Sequence, residues 1–142
     1  MRLRPGRVKL SDPPGTLGGM LDHLSIQCAD VAASAAFYDT ALAPLGAKRV
    51  MDFGDVIGYG VGRPEFWIGG RSTGTGFRES HIAFVAADRA AVDAFFTAAT
   101  EVGAEALYQP RLWPEYHPGY YGAFVRDPDG NNVEAVCHTP QP

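Results

Sequence analysis

Two segments of the chain alternate apolar and polar residues and then switch, within a few positions, to the spacing of a helix. In the first, Leu24, Ile26 and Cys28 fall on one side of an extended backbone and His23, Ser25 and Gln27 on the other. After Asp30 the apolar positions Phe37, Ala41 and Leu45 recur at helical spacing. In the second, His81 opposes Ile82 and Phe84, and after Asp88 the positions Val92, Phe95, Ala99 and Val102 do the same. The pattern predicts a strand over Leu21 to Cys28 and another over Ser80 to Ala86, each leading into a helix. Asp30 and Asp88 are placed to cap those helices, because a carboxylate accepts the backbone N–H groups that a first turn leaves unpaired. Gly46 and Gly103 stand where the helices should stop.

The two segments are copies. Laid on each other at an offset of 58 with no gap, residues 23–42 and 81–100 match at 8 of 20 positions, among them His23/His81, Asp30/Asp88 and Phe37/Phe95. Three strand-like runs follow each helix. They lie near Lys48 to Phe53, Val56 to Val61 and Glu65 to Gly69 in the first copy, and near Ala104 to Gln109, Tyr120 to Arg126 and Asn131 to His138 in the second. The order is βαβββ, twice. The fold class expected is therefore α+β, two tandem modules over about residues 20–70 and 79–138, together one domain over 20–142. The last hairpin turns at Asp127-Pro128-Asp129-Gly130, where Pro presets one corner and Gly accepts the other. Its returning strand carries one carboxylate, Glu134, between Val133 and Ala135.

Composition narrows the possible roles. The 142 residues are 46% hydrophobic and 20% charged, and no apolar run approaches the roughly 20 residues of a membrane span. Residues 1–19 carry Arg2, Arg4, Arg7 and Lys9 against Asp12, a net of +3, and are rich in Pro and Gly, as expected of an extended arm lying against a second subunit. The whole chain is at −4, so the rest is at −7, an acidic body that argues against nucleic acid as partner. Cys28 and Cys137 sit in apolar strands with no spacing to other thiols or imidazoles, as buried thiols of a cytoplasmic protein do.

Strand parity then gathers the chemistry. His23, His81 and Glu134, from three different strands, are all predicted on the face turned away from the helices. Two imidazoles and a carboxylate on one side of a divalent ion leave its other positions open; each of the three residues has an ordinary structural use as well. Gln27 shares that face. The segment 111–124, RLWPEYHPGYYGAF, holds Trp113, Tyr116, His117, Tyr120 and Tyr121 among prolines and a glycine. It reads either as a cover over the open end of the fold or as a substrate wall whose hydroxyls and imidazole handle protons. The glycine-rich stretch 68–80 lacks a P-loop lysine and reads as a linker or lid.

The doubled module, with His opening the first strand of each copy and D-P-D-G-N-x-x-E closing the second, resembles the vicinal oxygen chelate superfamily, which includes glyoxalase I, fosfomycin-modifying enzymes, extradiol dioxygenases and bleomycin resistance proteins. The likeness covers residues 20–138. It implies curved sheets forming a cup around a metal, with His23, His81 and Glu134 as ligands, and a small-molecule substrate whose adjacent oxygens the ion chelates. Zinc, nickel, cobalt, manganese and iron are all compatible with such ligands. Beside such an ion Glu134, Tyr116, His117 and Tyr121 are the candidate catalytic residues, with Trp67, Trp113, Tyr120 and Gln27 against the substrate. One position departs. In RPEFWIGG, residues 63–70, Trp67 stands where glyoxalase I has a further Glu, which points away from strict glyoxalase I activity toward other lyase, transferase or dioxygenase chemistry. The alternative is a metal-free binding protein of the bleomycin-resistance type. The cup closes either within one chain or across a homodimer, and a homodimer is expected.

Overall fold

The computed structural model describes residues 20–70 and 76–138. The expected arm and the middle of the linker lie outside the described residues. Each copy folds as strand, helix and three strands. The first contains β1 (Leu24–Gln27), α1 (Val31–Leu42), a single 3-10 turn (Ala43–Leu45), β2 (Lys48–Asp52), β3 (Val56–Gly60) and β4 (Phe66–Gly69). The second contains β5 (His81–Val85), α2 (Arg89–Glu101), β6 (Ala106–Leu112), β7 (Tyr121–Arg126) and β8 (Asn132–Cys137). They form two four-stranded sheets, ordered β1-β4-β3-β2 and β5-β8-β7-β6. In each the first strand runs parallel to the last and the other pairings are antiparallel, so both sheets are mixed.

The helix boundaries follow from the residues named for them. Asp30 accepts from the Ala33 N–H at 3.0 Å and Asp88 from the Ala91 N–H at 2.8 Å. The chain leaves the 3-10 turn after α1, and leaves α2, through a glycine at positive φ, Gly46 at 82° and Gly103 at 93°.

The helix-facing sides of both sheets share one core. It unites Ile26, Ile57, Phe66 and Ile68 of the first sheet with Ile82, Val125, Val133 and Ala135 of the second, and Phe37, Tyr38 and Leu42 of α1 with Val92, Phe95 and Ala99 of α2. Phe66 meets Phe84 edge-on across the modules, with centroids 5.1 Å apart. Burying a side chain such as Phe95 contributes about 1.5–3 kcal/mol. Among the described residues, no helix is long and apolar enough to cross a membrane. Both cysteine side chains are buried.

The strands fall within a residue of the expected limits at each end except in β1 and β6. β1 starts at Leu24, three residues late, because the Asp22 carbonyl accepts a hydrogen bond from Arg63 Nη1 at 2.9 Å and the Asp22 carboxylate takes the neighbouring imidazole. That side-chain pairing replaces ladder bonds. β6 extends to Leu112, so Arg111 and Leu112 belong to the sheet and not to the aromatic loop. β6 is an edge strand, and its register shifts between Tyr108 and Arg111, which lets Pro110 sit where no N–H is required.

The closing turn is tied to the other module. Asp127, buried, accepts from the backbone N–H groups of Asp129 and Asn131, from Asn131 Nδ2, and from the Tyr38 hydroxyl of α1 at 2.8 Å. Asp129 accepts from the Ala29 N–H at 2.9 Å and from Ser34 Oγ at 3.3 Å. The register of β8 is thereby fixed from both sides of the molecule.

Candidate functional site

The sheet registers set which side chains meet. Ala83, Glu134 and Phe124 lie abreast on β5, β8 and β7, and His81, Asn132 and Arg126 form the next row. Both rows sit on the face opposite α2. His81 therefore shares a face with Glu134, and its Nε2 donates to Glu134 Oε2 at 2.7 Å. The carboxylate is fully buried, with 0% exposure, whereas 54% of the imidazole side chain is open. The second carboxylate oxygen, Oε1, accepts from the hydroxyl of Tyr120. Burial first, and then the Glu134 carboxylate, pushes the Tyr120 hydroxyl well above its ordinary value, so it holds its proton.

A glycine makes this arrangement possible. A Cβ on Gly122 would stand 3.2 Å from Glu134 Oε1 and 3.3 Å from Tyr120 Cε1. The bare backbone of β7 is the slot through which Tyr120 reaches the carboxylate. An isolated glycine inside a strand is itself a signal of such close approach, and neither Gly122 nor the direct Tyr120–Glu134 contact had been read from the sequence.

The aromatic segment packs over the same face. Trp113 is buried, donates from Nε1 to the Gly122 carbonyl at 3.0 Å and lies under the Arg111 guanidinium at 3.4 Å. Tyr116 stacks on Trp113 and meets Tyr120 edge-on. His117 turns away from the carboxylate: the Gly119 N–H donates to its Nδ1 at 3.1 Å, which leaves Nε2–H to donate to His138 Nδ1 at 2.8 Å. Tyr121 lies outside the cluster. It pairs with Cys137 on the helix side, where its hydroxyl donates to Asp93 at 2.6 Å, and burial together with Asp93 pushes it up to about 12.

On the first module, Trp67 sits abreast of Ser25 and Gly58, and Gln27 abreast of Gly69. A Cβ on Gly58 would meet the indole at 2.9 Å, so the ring lies flat on the sheet. Phe53, 67% exposed, lies parallel to it at 4° with centroids 6.4 Å apart. Phe53 had not been singled out from the sequence.

His23 stands at the entry to β1 with Nδ1 on Asp22 Oδ1 at 2.7 Å. Among the described residues no three His, Cys, Asp or Glu side chains converge to hold a metal ion. Within one chain, then, His81 and Glu134 meet and His23 does not join them. Imidazole nitrogen beside carboxylate oxygen is nonetheless a donor set that suits a divalent first-row metal. A cavity of about 270 Å3 between the modules is lined by Asp22, His23, Leu24, Phe66, Ile82 and Phe84. A larger groove of about 710 Å3 beside the closing turn contains none of the candidate residues.

Residues 20–135 match the profile of the Glyoxalase/Bleomycin resistance protein/Dioxygenase superfamily. A glyoxalase/bleomycin resistance protein from Albidiferax ferrireducens is similar at 27% identity over 83% of this chain and 98% of its own, with a TM-score of 0.73. A lactoylglutathione lyase from Agrobacterium tumefaciens shares the fold at 23% identity, over 88% of this chain and 95% of its own, with a TM-score of 0.61. No curated protein matches the sequence significantly.

Proposed function

Because the chain belongs to the Glyoxalase/Bleomycin resistance protein/Dioxygenase superfamily, we propose that it is a metal-dependent enzyme acting on a small molecule, of lyase, transferase or dioxygenase type. Its site is completed by a second copy of the chain. The observation that carries this reading is the pairing of His81 Nε2 with the fully buried Glu134 at 2.7 Å on an open sheet face. Burying a carboxylate is costly, and a divalent ion beside it offsets much of that cost.

His81 and Glu134 of one chain would hold the ion together with His23 of the other. Zinc, nickel, cobalt, manganese or iron would supply Lewis-acid stabilisation of negative charge developing on a substrate oxygen. The apolar side chains left open on the sheet faces support the pairing of copies: Met51 on the first module, Val85 at 76% exposure and Tyr108 on the second. Tyr120 keeps Glu134 oriented and holds a proton at its hydroxyl. Trp113 and Tyr116 exclude water from that side. Trp67, Phe53 and Gln27 would line the opposite wall against the substrate, with His117 at the rim.

Trp67 cannot supply the additional carboxylate of a glyoxalase I site, so the proposed chemistry is not that isomerisation. The parallel Trp67 and Phe53 rings support a second reading, a metal-free protein that stacks a flat ligand.

Elemental analysis of protein purified without chelator tests the enzyme reading. We expect about one ion per chain, lost in His81→Ala, Glu134→Ala and His23→Ala alike. Mixing His23→Ala with His81→Ala should recover about one site in four, since only mixed dimers rebuild one complete site. Full metal retention in His23→Ala defeats the shared site. No uptake of any candidate ion by the wild type, with ligand binding undiminished in chelator, selects the second reading.

A further inference from the structure

We infer that Asp22 is a positioning residue that fixes the tautomer of His23 so that its Nε2 is presented as a bare lone pair. The inference rests on the proposed role of His23 as the ligand given to the second copy. Asp22 Oδ1 lies 2.7 Å from His23 Nδ1. An ionised carboxylate only accepts, so Nδ1 carries a proton, and in the neutral imidazole Nε2 is then the bare nitrogen. Asp22 is itself held from behind. Arg63 Nη1 donates to the Asp22 carbonyl at 2.9 Å and stands 3.7 Å from Oδ2, while Nη2 is 3.6 Å from Glu65 Oε1. The turn that delivers Arg63 is tight: a Cβ on Gly60 would fall 1.8 Å from the Arg63 carbonyl oxygen.

Stability does not account for this chain of contacts. The Asp22 side chain is 82% exposed and that of His23 56%, and pairs so open contribute little to folding. What it does fix is direction. The ring is tethered by one nitrogen while the other stays available at the surface, where a second chain can approach. A carboxylate behind a ligating imidazole commonly governs metal affinity by this means.

Two measurements on Asp22→Ala, Asp22→Glu and the wild type test the inference. Long-range proton–nitrogen NMR near pH 8, where imidazoles are neutral, should report an Nδ1–H tautomer for His23 in the wild type. Asp22→Ala should move it to the Nε2–H form that an untethered imidazole favours, and Asp22→Glu should restore the original form. Titration with Co2+ should give unchanged stoichiometry and about 10- to 100-fold weaker binding in Asp22→Ala, recovered in Asp22→Glu. An unchanged tautomer in Asp22→Ala overturns the inference, as does Co2+ affinity within twofold of the wild type. If the wild type takes up no Co2+, the metal reading falls by itself and the NMR comparison still decides on Asp22.

Discussion

Removing the hydroxyl of Tyr120 isolates the contact on which the geometry of Glu134 depends. In Tyr120→Phe the ring can keep its edge-on contacts with Tyr116, His117 and His138, and only the donor to Glu134 Oε1 is lost. Hydrogen bonds to a charged group contribute about 1.5–3 kcal/mol net. Full burial of Glu134 argues for the upper part of that range. The bond from His81, which keeps the other oxygen satisfied, argues for the lower part. We therefore expect a loss of about 2 kcal/mol, or about 8 °C in Tm for a domain of this size. Thermal and urea unfolding of Tyr120→Phe, Glu134→Gln and the double variant give the coupling directly. Coupling of about 1.5 kcal/mol or more is expected in metal-free protein. Additive losses, or a Tyr120→Phe cost below about 0.5 kcal/mol, would show that the hydroxyl does not hold the carboxylate.

Two further perturbations probe the surroundings. Gly122→Ala drives a methyl to 3.2 Å from Glu134 Oε1 and 3.4 Å from the Ala135 carbonyl, so it should cost about 1–3 kcal/mol and weaken Co2+ binding about tenfold; melting and affinity both unchanged would refute the slot. Asp39 is held below the usual carboxylate range first by the Arg49 guanidinium and also by the Tyr59 hydroxyl. A lowered folded value gives stability present above about pH 4 and lost as pH falls through that value. The gap in Tm between wild type and Asp39→Asn should thus be widest near neutrality and close in acid; a gap independent of pH contradicts the assignment.

The order of elements was legible because each carries its own signal: period-two alternation, a capping carboxylate, helical spacing, a terminal glycine. The common face of His81 and Glu134 was legible for the same reason, since each alternates with apolar residues that the helices cover, Ile82 and Phe84 in β5 and Val133 and Ala135 in β8. Parity across the β7–β8 hairpin needs the register as well. The pairing of Phe124 with Glu134 sends Tyr120 toward the carboxylate and Tyr121 toward α2, the reverse of the roles expected from their shared composition. The separation of His23 from His81 and Glu134 within one chain was not legible, because alternation cannot foresee that His23 pairs with Asp22, and Asp22 with Arg63, just before β1 begins. Phe53, expected to end the second strand, lies one residue past β2, and its stacking on Trp67 is a side-chain contact that alternation does not report.

The closing turn joins these facts into one constraint. Glu134 faces the site only if β8 keeps its register, and β8 keeps its register because Asp127 and Asp129 are gripped by donors from the first module: Tyr38, Ala29 and Ser34. Those donors belong to α1 and the segment just before it, the same part of the chain that begins at His23 and runs through β1. One stretch of about twenty residues therefore presents one proposed ligand outward and locks the strand that bears another. If the site is shared between copies, each subunit fixes its own Glu134 with the segment that also offers His23 to its neighbour. The two ligands are then coupled through the folded core, even though they serve different ions.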